Sequence, residues 1–175
     1  MRPIAKIAVV AGCAAVAWAA GAGVGNAATA PTSASATVVV PITIGTVTDL
    51  NFGKFVSGGT GGTVVVSTTG AQSVTGGVTS TATMATTATA GNFNISGENG
   101  SSYSVTVPST VTLSGGGGPN MTMDTLVTTI NGAAASSGTF GVAADVLKIG
   151  ATLTVGASQG AGLYSGTFNL VVDYN

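Results

Sequence analysis

Gly162-Leu-Tyr-Ser-Gly-Thr-Phe-Asn-Leu-Val-Val-Asp-Tyr-Asn175 is the stretch on which the fold class turns. Phe168, Leu170, Val172 and Tyr174 alternate with Thr167, Asn169, Val171 and Asp173. Successive side chains of a strand point to opposite faces, so the spacing predicts a strand with one face on a core. The run reaches the last residue, and no following segment is expected to pair with its far edge. An apolar edge left open invites another chain, so it is either covered or used.

A second alternating run lies near the other end. Ala34, Ala36, Val38, Val40, Ile42 and Ile44 interleave with Ser35, Thr37, Val39, Pro41 and Thr43, which predicts a strand over 34–44. Pro41 has no N–H to give a ladder and excludes a central place in a fully paired sheet. Ahead of this run, residues 28–33 are a tail of small residues with Pro31, expected to be flexible.

Between the two runs, glycine punctuates the chain at short intervals. Turns are expected at 57–62, at Gly76-Gly77, at 97–100 and at 114–120. Short Val- and Thr-rich stretches separate them, at 63–67, 92–96, 103–107, 121–130 and 147–155. Many short strands joined by Gly, Pro and Asn turns predict an all-β antiparallel sandwich or barrel. Residues 80–91, mostly Ala and Thr, are compatible with loop, strand or a brief helix.

Composition narrows the chemistry. Of 175 residues, 45% are hydrophobic and only 5% charged, with 28 Gly and no His. Soluble domains usually carry about 25% charged residues, so solubility here rests on Ser, Thr, Asn and backbone. The net charge of −1 leaves no basic patch for nucleic acid. Arg2 and Lys6, the apolar stretch 7–24 and the small residues around Gly25-Asn26-Ala27-Ala28 read as an export signal over 1–27. Other readings of this segment are an uncleaved anchor helix and a lipobox at Val10-Ala11-Gly12-Cys13. Cleavage near Ala27 leaves a chain without Cys, a candidate N-terminal extension over 28–45 and a domain over 46–175.

With no His and no thiol after cleavage, common catalytic triads and zinc sites are excluded. The five acids are widely spaced, which argues against a carboxylate pair or a calcium loop. The run 114–119 lacks the Lys-Ser/Thr of a phosphate-binding loop. No enzymatic activity and no cofactor are expected. Three Asn-x-Ser/Thr triplets, at Asn94, Asn99 and Asn120, are of a kind common in such chains. A Lys–Asn crosslink from Lys54 or Lys148 to a strand Asn is chemically conceivable, against ordinary surface lysines.

The C-terminal run resembles the chaperone-recognition strand of Gram-negative chaperone–usher pilins, with Tyr174 penultimate, Val172, Leu170 and Phe168 alternating before it, and Gly162 fourteenth from the end. Residues 34–44 resemble the donor strand of the same proteins. The middle of the chain is similar to a family of exported Gram-negative proteins known only as a domain of unknown function. Its phrases are Asp49-Leu-Asn-Phe-Gly53, Phe93-Asn-Ile-Ser-Gly-Glu98 with Tyr103-Ser-Val-Thr-Val-Pro108, and Gly162-Leu-Tyr-Ser-Gly-Thr-Phe168.

The resemblance implies an immunoglobulin-like sandwich completed by a donor strand. A periplasmic chaperone lends a strand, and an outer-membrane usher directs its replacement by the next subunit. Ala34, Ala36, Val38, Val40, Ile42 and Ile44 then form the donor face, and Gly162, Phe168, Leu170, Val172 and Tyr174 the acceptor. The chain is thus expected in the periplasm in transit and then in a fibre at the cell surface, with roles in adhesion or biofilm and no membrane span after signal cleavage. The competing expectation pairs 34–44 within its own molecule, giving a self-contained secreted module such as a surface coat or carbohydrate binder. An outer-membrane barrel is disfavoured by the scarcity of aromatic residues, and an amyloid by the lack of a short repeat.

Overall fold

A computed structural model of the chain describes residues 28–80 and 87–175. The expected signal 1–27, with Cys13, and the core of the ambiguous 80–91 stretch lie outside the described residues. Residues 28–37 are exposed and carry no assigned secondary structure. Residues 38–175 form a compact unit of their own.

The described residues hold strands and no helix, so the chain is all-β as expected. In chain order the strands are β1 (Thr43–Thr48), β2 (Phe55–Val66), β3 (Gln72–Ser80), β4 (Gly91–Ser96), β5 (Ser102–Thr106) and β6 (Thr110–Gly115). There follow β7 (Met121–Ile130), β8 (Ala133–Ala134), β9 (Ser137–Thr139), β10 (Asp145–Val155), β11 (Tyr164–Ser165) and β12 (Val171–Tyr174).

β10 is the axis of a nine-stranded sheet. One edge of β10 pairs with β4 through residues 145–149 and with β2 through 151–155, and the other edge pairs with β7. β1 extends β4, β3 extends β2, and β6 and β11 follow β7. A second sheet has the order β12-β5-β9. Every strand pairing is antiparallel.

The two sheets face each other across one core. Ile95, Ile130, Leu147 and Ile149 of the large sheet pack with Tyr103, Val105 and Val172 of the small one, around Phe140. The large sheet also curls on itself, enclosing Val64, Val66, Val111, Met121, Met123, Leu153 and Val155, with Phe52 inserted from a loop. Phe168 and Leu126 touch both clusters. The molecule is therefore an antiparallel β-sandwich with two communicating cores.

Three local expectations change. The first concerns the glycines at 57–62 and at 76–77, which form part of β2 and β3 rather than turns. Pairing with β3 runs from Phe55↔Ser80 to Ser57↔Val78 and resumes at Gly62↔Gly76, so residues 58–61 are a bulge. Only glycine allows this approach, because a Cβ at Gly77 would collide with the Thr60 carbonyl. The hairpin turns instead at 67–71, where Gly70 N–H donates to Ser67 O (2.9 Å) and Gly70 has φ +84°.

The second change is at the N-terminal run, where the strand begins at Thr43 rather than at 34. Thr43 lies opposite Ser96, the last residue of β4, so the chain upstream has no ladder to join.

The third is at the C-terminal run, which is interrupted. β11 pairs with β6 and β12 with β5, while 166–170 between them are unpaired. Opposite the gap the β5–β6 connection crosses from one sheet to the other through 107–109, and Pro108 offers no N–H. The alternation survives the break: Phe168, Leu170, Val172 and Tyr174 are buried or half-buried, and Thr167, Asn169, Val171 and Asp173 are exposed.

Phe168 joins the two cores, so Phe168→Ala should lower stability by about 3–5 kcal/mol in urea denaturation, the range for removing a large core ring. Val171→Thr on the opposite face should change it by less than about 0.5 kcal/mol.

Candidate strand-docking site

The C-terminal segment offers both a core-facing side and an open edge. Val171, Val172, Asp173 and Tyr174 stand opposite Thr106, Val105, Ser104 and Tyr103 of β5. Asn175 N–H donates to Ser102 O at 3.0 Å, which fixes the phase of the ladder. In an antiparallel pair alternate residues bond the partner, so Val171, Asp173 and Asn175 bond β5. The N–H and C=O of Val172 and Tyr174 then point to the outer edge. No strand among the described residues pairs with that edge.

On the other side of the segment, facing β5 and β6, the gap between 106–112 and 167–171 forms an open groove of about 590 Å³. Val107, Pro108, Val111, Phe168 and Val171 supply its apolar surface. Thr106, Thr110, Thr112, Thr167 and Asn169 supply hydroxyl and amide groups but no charge. Such a lining suits an extended chain with small or apolar side chains.

The far end of the segment is tied to the N-terminal run. Tyr174 OH donates to Val40 O (2.6 Å) and accepts from Glu98 N–H (2.6 Å), while Val40 N–H donates to Glu98 Oε2 (3.0 Å). The Tyr174 ring packs edge-on against Phe140, with centroids 5.8 Å apart. Gly97 makes room for it, since a Cβ there would stand 2.6 Å from the Tyr174 hydroxyl.

The six residues expected as a donor face are divided by the structure. Ala34, Ala36, Val38 and Val40 are exposed, Val38 at 95%. Ile42 packs against the core around Phe140, and Ile44 pairs with Ile95 in β1 while remaining 42% exposed. Of the acceptor residues, Phe168, Leu170, Val172 and Tyr174 share one face of one segment. Gly162 is elsewhere: it has φ +145°, and its Cα packs against Gly116, where a Cβ would lie 2.5 Å from the Gly116 Cα. Its reason is the seating of the 114–120 turn.

A polar cluster joins buried Asp145 and Tyr103 to Asn131 at the surface. Asp145 accepts from Tyr103 OH (2.7 Å) and from Asn131 Nδ2 (2.7 Å), and Asn131 also binds both backbone groups of Val146 (each 2.9 Å). Tyr103 stacks on Phe140 with centroids 4.1 Å apart. Burial, and then the bond to Asp145, push the Tyr103 phenol far above its ordinary range. The buried polar atoms of Tyr103 and Asp145 have partners within this cluster, and the arrangement is a satisfied structural network. Among the described residues no three His, Cys, Asp or Glu side chains come together as a metal site. No helix there is long and apolar enough to cross a membrane, which says nothing about barrels.

Residues 42–174 match the family described as "Domain of unknown function (DUF4402)". The chain belongs to this family. No curated protein and no solved structure matches it.

Two of the phrases that suggested a domain of unknown function have a structural explanation. In 49–53, Gly53 N–H donates to Asn51 Oδ1 (2.7 Å) and Gly53 has φ +74°, a tight turn that drives Phe52 into the core. In 93–98, Ile95 is buried, Gly97 admits Tyr174, and Glu98 meets Val40. Neither Glu98 nor Asn131 stands out in the sequence as a contact residue. For Asn131 the signal was available: Asn131-Gly132, with φ +51° and +86°, is the two-residue turn joining β7 to β8. Glu98 lies 58 residues from Val40 and carried no local signal. For the crosslink expectation, Asn92 stands opposite Lys148 in the register, and its Oδ1 is buried with no hydrogen-bond partner.

The tyrosine shift fixes a pH dependence. Unfolded tyrosine ionises near pH 10, while folded Tyr103 keeps its proton to higher pH. Above about pH 10 the unfolded chain therefore binds fewer protons, and stability falls as pH rises. Urea denaturation between pH 7 and 11 should show this alkaline loss. Tyr103→Phe should shrink it, while costing about 1–3 kcal/mol at pH 7 by removing a donor from Asp145.

Proposed function

We propose that the protein is a structural subunit of a surface fibre, in which the N-terminal segment of one copy adds as a strand to the C-terminal segment of the next. The observation that carries this reading is the outer edge of β12. It has backbone groups directed outward, and no strand among the described residues pairs with it. The exposed alternating residues Ala34, Ala36 and Val38 provide a matching element. Strand addition gives affinity through backbone hydrogen bonds and specificity through alternate side chains. A head-to-tail contact of this kind need not close, and an open one builds a fibre.

In this reading a periplasmic chaperone occupies the edge before assembly, and an usher exchanges it for the next subunit. Adhesion and biofilm follow from the fibre. The second reading, a self-contained secreted module, draws on the packing of Ile42 and the pairing of β1 within the same domain.

Removing the residues between the export signal and Val40 separates the two. The truncated protein should fold with unchanged urea midpoint yet form no fibres by electron microscopy of the cell surface. Fibres that persist after this deletion would sink the proposal.

A further inference from the structure

The contact among Val40, Glu98 and Tyr174 has the chemistry of a peptide-backbone site. Glu98 Oε2 accepts the Val40 N–H and Tyr174 OH donates to the Val40 carbonyl, so both polar groups of a single residue are read. The Val40 side chain, 52% exposed, takes little part. The Glu98 N–H in turn binds the Tyr174 hydroxyl, so the two reading groups hold each other in place. Pro41 follows at once and fixes the backbone angle with which the chain enters the domain. On the domain side Ile42 packs on the core, whereas Val38 and Val39 on the other side are 95% and 56% exposed. The change from exposed to held chain thus occurs within two residues of the contact.

We infer that Glu98 and Tyr174 form a backbone clamp that fixes Val40 to its own domain and sets Val39 as the last residue of the segment that can be given to another copy. This rests on the strand-donation reading for its use, though the clamp itself is a property of the single molecule. The remaining length suffices. Residues 28–39 extended span about 40 Å, against about 30 Å for an edge running from 166 to 174. The clamp serves two ends. It defines the register of donation by giving every copy the same starting point. It also keeps Ile42 and β1 from being pulled out with the donated strand.

Amide exchange by NMR on the purified protein tests the clamp without any assembly. The Val40 amide should exchange at least about tenfold more slowly than that of Val38, in keeping with a hydrogen bond to a charged acceptor. Glu98→Ala and Tyr174→Phe should each abolish that difference while leaving β5 and β10 amides unchanged. Glu98→Gln, which retains an acceptor oxygen, should restore most of it. A wild-type Val40 amide as fast as that of Val38, or one indifferent to both substitutions, would overturn the clamp. A second arm measures exchange in assembled fibres, where the Val40 amide should stay protected and amides within 28–39 should gain protection. Release of Val40 on assembly would overturn the assignment of Val39 as the boundary. Failure of the wild-type protein to form fibres would count against the strand-donation reading alone, because the single-molecule arm decides the clamp.

Discussion

Strand β10 has to serve two partners along the same edge, and the rest of the molecule depends on how it does so. β4 occupies that edge through Ile149, and β2 takes over from Ala151. Gly150 lies between, so close to the departing β2 that a Cβ would stand 2.5 Å from the Val66 carbonyl. Any side chain there would force the two partners apart. From this junction β4 carries β1 and the turn holding Glu98, while β2 carries β3 and curls the sheet round the second core. The placement of the N-terminal segment therefore traces back to a single glycine in the middle of the most buried strand.

The sequence is legible where one physical rule governs a whole segment. Residues 168–174 alternate because the segment has a core on one side and solvent on the other, and the side-chain period of a strand records that directly. The same pattern over 34–40 failed to yield a strand. Alternation states what a segment is fit for, not whether a ladder is present, and β4 ends at Ser96. Glycine was ambiguous for a related reason. At 114–120 it marks a turn, and at 57–62 a bulge in a paired strand, since its lack of Cβ permits both a sharp bend and a close approach. The choice between them depends on a partner distant in sequence.

Scarcity of charge shapes what the interior can use. Asp145 is the charged residue buried in the described core, and it is held by two donors from different strands and turns. A carboxylate left without these donors would carry the full cost of desolvation. Its partners are neutral side chains, Tyr103 from the small sheet and Asn131 from the β7–β8 turn. The network links the two layers of the sandwich at one point, complementing the non-directional packing of Leu147, Ile149 and Phe140 around it.

The hydroxyl of Tyr174 also has a mechanical meaning. In a fibre under tension, force would enter one subunit along the neighbour's strand on the β12 edge and leave it through the N-terminal segment. Tyr174 belongs to β12 and holds the Val40 carbonyl, so entry and exit would lie one side chain apart. The load would cross a short polar bridge and bypass both apolar cores. Strands pulled along their length resist by shearing many backbone bonds together, whereas a core loaded from opposite ends can open step by step. A subunit so connected could bear tension without its interior taking part.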